Sequence, residues 1–541
     1  MFIPFIFSLD PANDYYYLWI FYKFLNMAKQ YNAPFIAQEQ YFVNPEVFKK
    51  MGKREVTEEW ARGMEYDLPC VDDLYKIKQY PIPKILEKKL IEERGSQTNA
   101  WTYVLSERWK PLEEFISTVL EDIINNEHVQ IEGFFTWCHI PSLSYIAQQY
   151  NIPVIHMEWG PLRPPSYRKT AYFDFTGVYK SNQLEEGYIK FINQSAENQV
   201  HYLSRKEILS IFLDYKLIEN IDLLDCKPEY EIGVACTYTI DLFSMAYSSS
   251  LNNLEVITIA NRYYSDKNIL VRPHPGDPAR ANTNHHILDN SPSSMHFVNR
   301  CKRIAVINSN IAFEAMLWGR TAYVLGASPY LFKAQGDLSD RDDSVVELEF
   351  VNYVVFAYLV PYELMLDVEY IRWRLSSPTE VEIYNRHLNY YLACRGIDTE
   401  ILTESGIERL RKLLLIQGFN LSGKCIENSG NEGSKVDVMK NHLNSSMQLN
   451  RKIQYLMNKV TVLNMQHSKL ELAYQNLEGE HSKLYDSHQN LDREHTKLND
   501  SYQNLVGELN MLKLQNETLV NSTCWKITSP IRYVLDQFKN K

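Results

Sequence analysis

From Leu449 to Leu519 a leucine stands at every seventh position: 449, 456, 463, 470, 477, 484, 491, 498, 505, 512 and 519. A helix with an apolar residue every seven positions carries a seam that drifts slowly round its axis, and such helices bury the seam by winding round one another. With leucine at d, the a positions are Ile453, Val460, His467, Tyr474, His481, His488, His495, Tyr502, Leu509 and Asn516. His and Tyr in that layer weaken packing and read as selecting register and oligomer state. The middle is a 14-residue repeat, His467-Ser-Lys-Leu, His481-Ser-Lys-Leu and His495-Thr-Lys-Leu, each followed by Gln-Asn-Leu. A metal-binding histidine ladder is disfavoured, because successive a positions lie roughly 10 Å apart at 1.5 Å per residue. The expectation is a homo-oligomeric coiled coil over residues 447–520, roughly 105 Å long.

The whole chain has 541 residues, enough for about three to four units. Its 45% hydrophobic content suits packed cores. A net charge of -11 argues against a nucleic-acid binder. The eight cysteines (70, 138, 226, 236, 301, 394, 425, 524) form no CxxC pair, so neither a zinc ribbon nor a disulfide framework is expected, and a reducing cytoplasm fits. The start, Met1-Phe-Ile-Pro-Phe-Ile-Phe-Ser-Leu9, lacks a basic leader and reads as a strand rather than a signal peptide. No uninterrupted apolar run approaches about 18 residues, so no membrane span is expected.

Ahead of the rod, strands and helices alternate. Phe2–Leu9, Ala33–Gln38, Ile131–Trp137 and Ile152–Met157 read as strands, and Tyr15–Tyr31, most of 39–125 and Pro141–Tyr150 as helical. Residues 179–225 read as a helical linker. A second set follows: strands at Glu231–Tyr238, Asn268–Val271, Arg303–Asn308 and Thr321–Gly326, with further helices to Gly418. The fold class is therefore α/β with two Rossmann-like lobes, over 1–178 and 226–418. Residues 419–446, rich in Gly, Asn and Ser, are a flexible link to the rod.

Chemistry-bearing residues gather at predicted strand ends, where open α/β sheets bind ligands. In Arg272-Pro-His274-Pro275 the two prolines fix the backbone around a histidine suited to a phosphate. Asn308-Ser309-Asn310 opens a helix, where hydroxyl, amide and backbone N–H groups make an anion site, and Glu314 lies one turn further on, placed for a ribose or simply solvated. Glu158-Trp-Gly-Pro-Leu-Arg163 is either a catalytic or acceptor-binding loop or a salt bridge that ties the loop down. Asp241 stands at a predicted helix N-terminus, which favours its ionised form but also suits a plain cap.

Glu158-Trp-Gly-Pro-Leu-Arg163, Tyr238-Thr-Ile-Asp241, Arg272-Pro-His274-Pro275 and Asn308-Ser309-Asn310…Glu314-Ala…Trp318-Gly319, in that order, resemble the retaining β-Kdo transferases, with glycosyltransferase family 99 the nearest match, over residues 1–415. The resemblance implies a GT-B architecture, CMP-β-Kdo as donor and no metal or other cofactor. It implies that Asp241 is the nucleophile, that His274 contacts the donor, that Ser309 holds phosphate and Glu314 ribose, and that Glu158 is general acid/base or acceptor ligand. Arg163 or Arg272 would meet the carboxylate of Kdo. The loop Gly276–Arg280 does not align.

The ending, Trp525-Lys-Ile-Thr-Ser-Pro530-Ile-Arg532, resembles a tail found on many bacterial surface-polysaccharide enzymes. As an amphipathic helix over 521–541 it would lie on an anionic leaflet or cap the coil. The expected function is transfer of β-Kdo to a lipid-linked O-polysaccharide (O-antigen of lipopolysaccharide) as chain terminator. The protein would then be peripheral on the cytoplasmic face of the inner membrane, with the rod as length spacer. Alternatives are a CMP-sialic acid or CDP-polyol transferase, and a non-catalytic scaffold that recruits such enzymes.

Overall fold

The structure is a computed structural model. It describes residues 1–395 apart from 10–17, 53–55, 64–65, 128–129, 180, 199, 201, 239–241, 248–250, 277–285 and 340–342, and then 408, 410–412 and 497–539. The chain divides into two units, Met1–Cys425 and Ile426–Lys541.

The first unit holds strands β1 (Phe2–Ile6), β2 (Phe35–Gln38), β3 (Gln79–Ile82), β4 (Gly133–Trp137), β5 (Val154–Trp159), β6 (Thr170–Asp174), β7 (Tyr230–Ala235), β8 (Ile269–Arg272), β9 (Ile287–Leu288), β10 (Cys301–Val306), β11 (Thr321–Val324) and β12 (Val360–Pro361). They form two sheets, ordered β12-β6-β5-β4-β1-β2-β3 and β11-β10-β7-β8-β9. The second is parallel throughout. In the first, β1 to β5 are parallel, while β6 and β12 run antiparallel to their neighbours. Each sheet winds outward from a central strand in both directions. The winding reverses between β1 and β4, and again between β7 and β10, and such switch points open a crevice beyond the strands' carboxyl ends.

The sequence explains these sheets. β1 and β4 are buried along their whole length, so they read as unbroken apolar runs. In the second sheet Ile232, Val234, Ile269, Val271, Ala305 and Ile307 face one core, while Ala235, Leu270, Ile304 and Val306 face the other. This is the two-residue alternation of a sheet covered on both faces. Gly233 is required there: a Cβ would sit 2.7 Å from both Cys301 Sγ and the Phe297 ring.

Three features differ from the sequence expectation. β3 lies inside the stretch read as mostly helical; its Pro81 is tolerated because β3 is an edge strand. β6 was not anticipated, and it carries Tyr172, which bonds to Asn310 of the site. The chain also returns to the first lobe late: β12 pairs with β6, and Tyr362, Val368, Tyr370 and Ile371 pack into the first lobe's core. Helices stand at Gln183–Asn198 and Arg205–Phe212, and a 3-10 stretch at Tyr215–Asp225.

Of the second unit, residues 497–521 are helical, Ser522 makes a bend, and a helix follows at Thr523–Lys539. Leu498, Leu505, Leu512 and Leu519 are each more than half exposed. The linker 419–446 and residues 447–496 of the expected coiled coil lie outside the described residues. Among the described residues, no helix is long and apolar enough to cross a membrane.

Candidate functional site

A cavity of about 520 Å³ opens between the two lobes, at the carboxyl ends of β5, β7, β8 and β10. It gathers Glu158, Arg163, Arg272, His274, Asn308, Ser309, Asn310 and Glu314. These residues are spread over more than 150 positions of sequence, and only the two switch-point sheets bring them together. Asp241 lies outside the described residues; Tyr238, three positions before it, lines the cavity.

On the second lobe, β8 ends at Arg272 and Pro273 and Pro275 flank His274, which is exposed. The Gly276 N–H donates to His274 Nδ1 at 3.2 Å. A neutral ring held this way carries its proton on Nε2. The Tyr238 ring stands edge-on to it, centroids 5.7 Å apart. Behind the strand, Arg272 pairs through Nη1 with Asp289, whose side chain is fully buried and also takes Arg300 at 3.2 Å. Asp289 thus holds Arg272 in place, and Arg272 is a weaker candidate for a sugar carboxylate than Arg163. Arg163 is exposed at the cavity and makes no ion pair among the described residues. The salt-bridge reading of its loop is accordingly not met on the arginine side.

The helix that begins at Ile311 has only seven residues, Ile311–Leu317. Its first amides are already used. Ile311 N–H donates to Ser309 Oγ at 3.3 Å, Ala312 N–H to Ser309 O at 3.0 Å, and Phe313 N–H to Asn310 O at 3.1 Å. An anion here would therefore meet side chains more than a field of open amides, which narrows the expectation drawn from the sequence.

Glu314 is not a solvated helix carboxylate. It is buried against the cavity and accepts from Ser294 Oγ at 2.9 Å to both oxygens and from Tyr167 OH at 3.1 Å; Trp318 Nε1 donates to that tyrosine oxygen at 2.8 Å. Burial pushes its pKa up to about 7. The folded protein then keeps a proton between pH 4.5 and about 7 that the unfolded chain has lost, so this group makes stability fall as pH rises through that window. The interval corresponds to about 3 kcal/mol. Glu314→Gln is expected to remove that slope. Urea unfolding of both proteins at pH 5 and pH 8 checks it, and identical slopes would show that the carboxyl is not the source.

Tyrosines from the first lobe set these groups, and nothing in the sequence singled them out. Tyr172, on β6, donates to Asn310 Oδ1 at 2.7 Å, so Tyr330, 2.7 Å away, is the donor to Tyr172. Tyr167 and Tyr172 belong to the same apolar core as the second lobe's Phe313 and Met316, so the lobes share packing beneath the cavity. Tyr179 donates to Glu158 Oε1 at 3.1 Å and stacks on Tyr247 at 5.7 Å, whose hydroxyl donates to Leu105 O at 2.7 Å. The one available signal was that Tyr167 and Tyr179 follow the Glu158 loop closely in sequence. Tyr172, alternating along an unrecognised strand, gave none.

Such a cavity has a carboxylate and a guanidinium from one lobe, and a histidine, hydroxyl, amide and buried acid from the other. It can hold a phosphorylated ligand on the second lobe and present it to a carboxylate on the first. Among solved structures, Thermosulfurimonas dismutans KpsC, beta Kdo 2,7 transferase, is 17% identical, with TM-score 0.30 over 48% of this chain and 90% of that one. KpsC, beta Kdo 2,4 transferase, from the same organism is 14% identical, with TM-score 0.27 over 42% and 81%. The wall teichoic acid polymerase TagF (H548A) is 13% identical, with TM-score 0.19 over 77% and 90%. At these TM-scores the likenesses carry no argument. Comparison with curated proteins gives no match. Residues 5–183 match the "Glycosyltransferase 99 family N-terminal domain". This stretch is thus similar to that domain, and the match supports a glycosyltransferase.

Proposed function

We propose that the protein is a retaining transferase that moves β-Kdo from CMP-β-Kdo to a lipid-linked bacterial O-polysaccharide. The observation that supports this most is one interlobe cavity that holds Glu158 and Arg163 opposite His274, Ser309 and Glu314. In the proposed sequence, Asp241 attacks the anomeric carbon, the bond to the phosphate oxygen of CMP breaks, and a glycosyl ester forms on the aspartate. The acceptor hydroxyl then attacks the same carbon, Glu158 takes its proton, and the aspartate leaves with net retention. His274 and Ser309 stabilise the departing phosphate, Glu314 accepts from the ribose, and Arg163 pairs with the sugar carboxylate. The reading calls on no metal.

Incubating the purified chain with CMP-Kdo, CMP-sialic acid and a CDP-polyol separately, with a lipid-linked glycan acceptor, tests this. Transfer from CMP-Kdo alone is expected; preference for either other donor overturns it.

The rest of the reading is chain termination at a fixed distance from the membrane. The exposed leucine seam of 497–521 supports a coiled coil between copies of this chain, because one helix alone leaves the seam in water. In Thr523–Lys539, Ile527, Ile531, Val534, Leu535 and Phe538 share one exposed stripe, as a helix lying in the cytoplasmic leaflet requires. Removing two 14-residue repeats would shorten a helical rod by roughly 42 Å. The glycan in cells is then expected to be shorter on gels, and an unchanged length distribution would remove the spacer role.

A further inference from the structure

Two fully buried phenols stand behind Asn310 and take no part in the chemistry proposed above. Tyr172 is on β6 of the first lobe, and Tyr330 is in the loop that follows β11 of the second. Their oxygens are 2.7 Å apart, and Tyr172 OH is also 2.7 Å from Asn310 Oδ1. A phenol has one proton to give, and a carbonyl can only accept. Tyr172 therefore gives its proton to Asn310, and Tyr330 gives its own to Tyr172. Burial pushes both pKa values up, so both protons stay in place at any working pH. The Tyr330 ring stacks on Phe313, centroids 5.2 Å apart, which holds it against the helix that carries Glu314.

Asn310 is where this chain of bonds ends. It lines the cleft and directly precedes the helix Ile311–Leu317, where an asparagine ordinarily serves as a cap. Its side chain makes no capping bond; Ser309 Oγ takes the Ile311 N–H instead. With Oδ1 committed to Tyr172, the Nδ2 amino group is the remaining arm of the amide. It makes no hydrogen bond among the described residues. Turning the amide over would put a carbonyl oxygen where an anion is to be bound. It would also reverse the chain of bonds and strand the Tyr330 proton in the core, because Tyr330 OH makes no other hydrogen bond among the described residues. An unmet buried donor is costly, so the phenols hold the amide in one sense.

We propose that Tyr172 is a positioning residue for the donor phosphate. It keeps the Asn310 carbonyl turned away, so that the Asn310 N–H groups meet the phosphate beside His274 and Ser309. The first lobe thereby sets a contact that the second lobe makes. This rests on the reading of the cleft as a CMP-sugar site.

Isothermal titration of the full chain with CMP and, separately, with cytidine tests it, because cytidine lacks the phosphate. Tyr172→Phe weakens CMP binding about tenfold and leaves cytidine affinity unchanged. Asn310→Ala shows the same selective loss, and adding Tyr172→Phe to it weakens CMP no further. A mere loss of packing would lower both ligands alike and would add to the Asn310→Ala loss. Should the stranded Tyr330 proton keep Tyr172→Phe from folding, Tyr172→Phe with Tyr330→Phe removes both phenols together and carries the same selective loss. Unchanged CMP affinity without the Tyr172 hydroxyl, an equal loss of cytidine, or additive losses with Asn310→Ala overturns the proposal. A wild type that binds no CMP counts instead against the nucleotide reading of the cleft.

Discussion

Asp241→Asn lowers sugar transfer by at least about 10³-fold and leaves CMP affinity nearly unchanged. The amide has the shape of the carboxylate but cannot form a glycosyl ester. The groups assigned to the nucleotide, His274, Ser309 and Glu314, come from other strands and helices and remain in place. Initial rates with CMP-Kdo and titration with CMP separate the two effects. A sharper readout is intact mass after brief mixing with donor and no acceptor: the wild type gains one Kdo, peptide mapping puts it on Asp241, and the variant gains none. Glu158→Gln divides the remaining roles. If Glu158 takes the acceptor proton, the adduct accumulates because its discharge slows. If Glu158 only holds the acceptor, the adduct turns over and the acceptor KM rises. Wild-type glycan in cells that carry only Asp241→Asn would favour the scaffold and end the double-displacement reading.

Much of this site was legible because its residues stand next to strong local signals. His274 is flagged by two prolines after an apolar run, and Asn308-Ser309-Asn310 by the turn from β10 into a helix. The alternation of strands and helices gave both lobes, since parallel strands buried on two faces are hard to mistake. What stayed hidden depends on long-range contact. Burial alone made Glu314 an unusual acid, and no periodicity announces the Ser294 and Tyr167 hydroxyls that hold it. Asp289 disarms Arg272 from 17 positions away, so the two arginines could not be ranked from sequence. β12 has two residues and no strand signature; it forms because β6 offers an open edge. The heptads predict a partner helix, which a single chain does not supply, and the exposure of Leu498 to Leu519 follows from that.

His274→Ala is expected to lower kcat about 10²- to 10³-fold with a smaller change in donor KM. Charge builds on the CMP phosphate as the anomeric bond breaks, and a donor aimed at that oxygen contributes most when the charge is greatest. The structure gives His274 the means to be such a donor. Pro273 and Pro275 fix its backbone, and the Gly276 N–H occupies Nδ1, which puts the proton of a neutral ring on Nε2. Tyr238 stands against the edge of the ring. His274→Gln keeps an N–H donor on a more flexible stem and should recover part of the rate. Single-turnover measurement of adduct formation on Asp241 isolates this step from acceptor binding and product release. A raised KM with kcat unchanged would mean that His274 binds the ground state and the transition state alike. The leaving phosphate would then owe its stabilisation to the Ser309 hydroxyl and to the side-chain amides of Asn308 and Asn310.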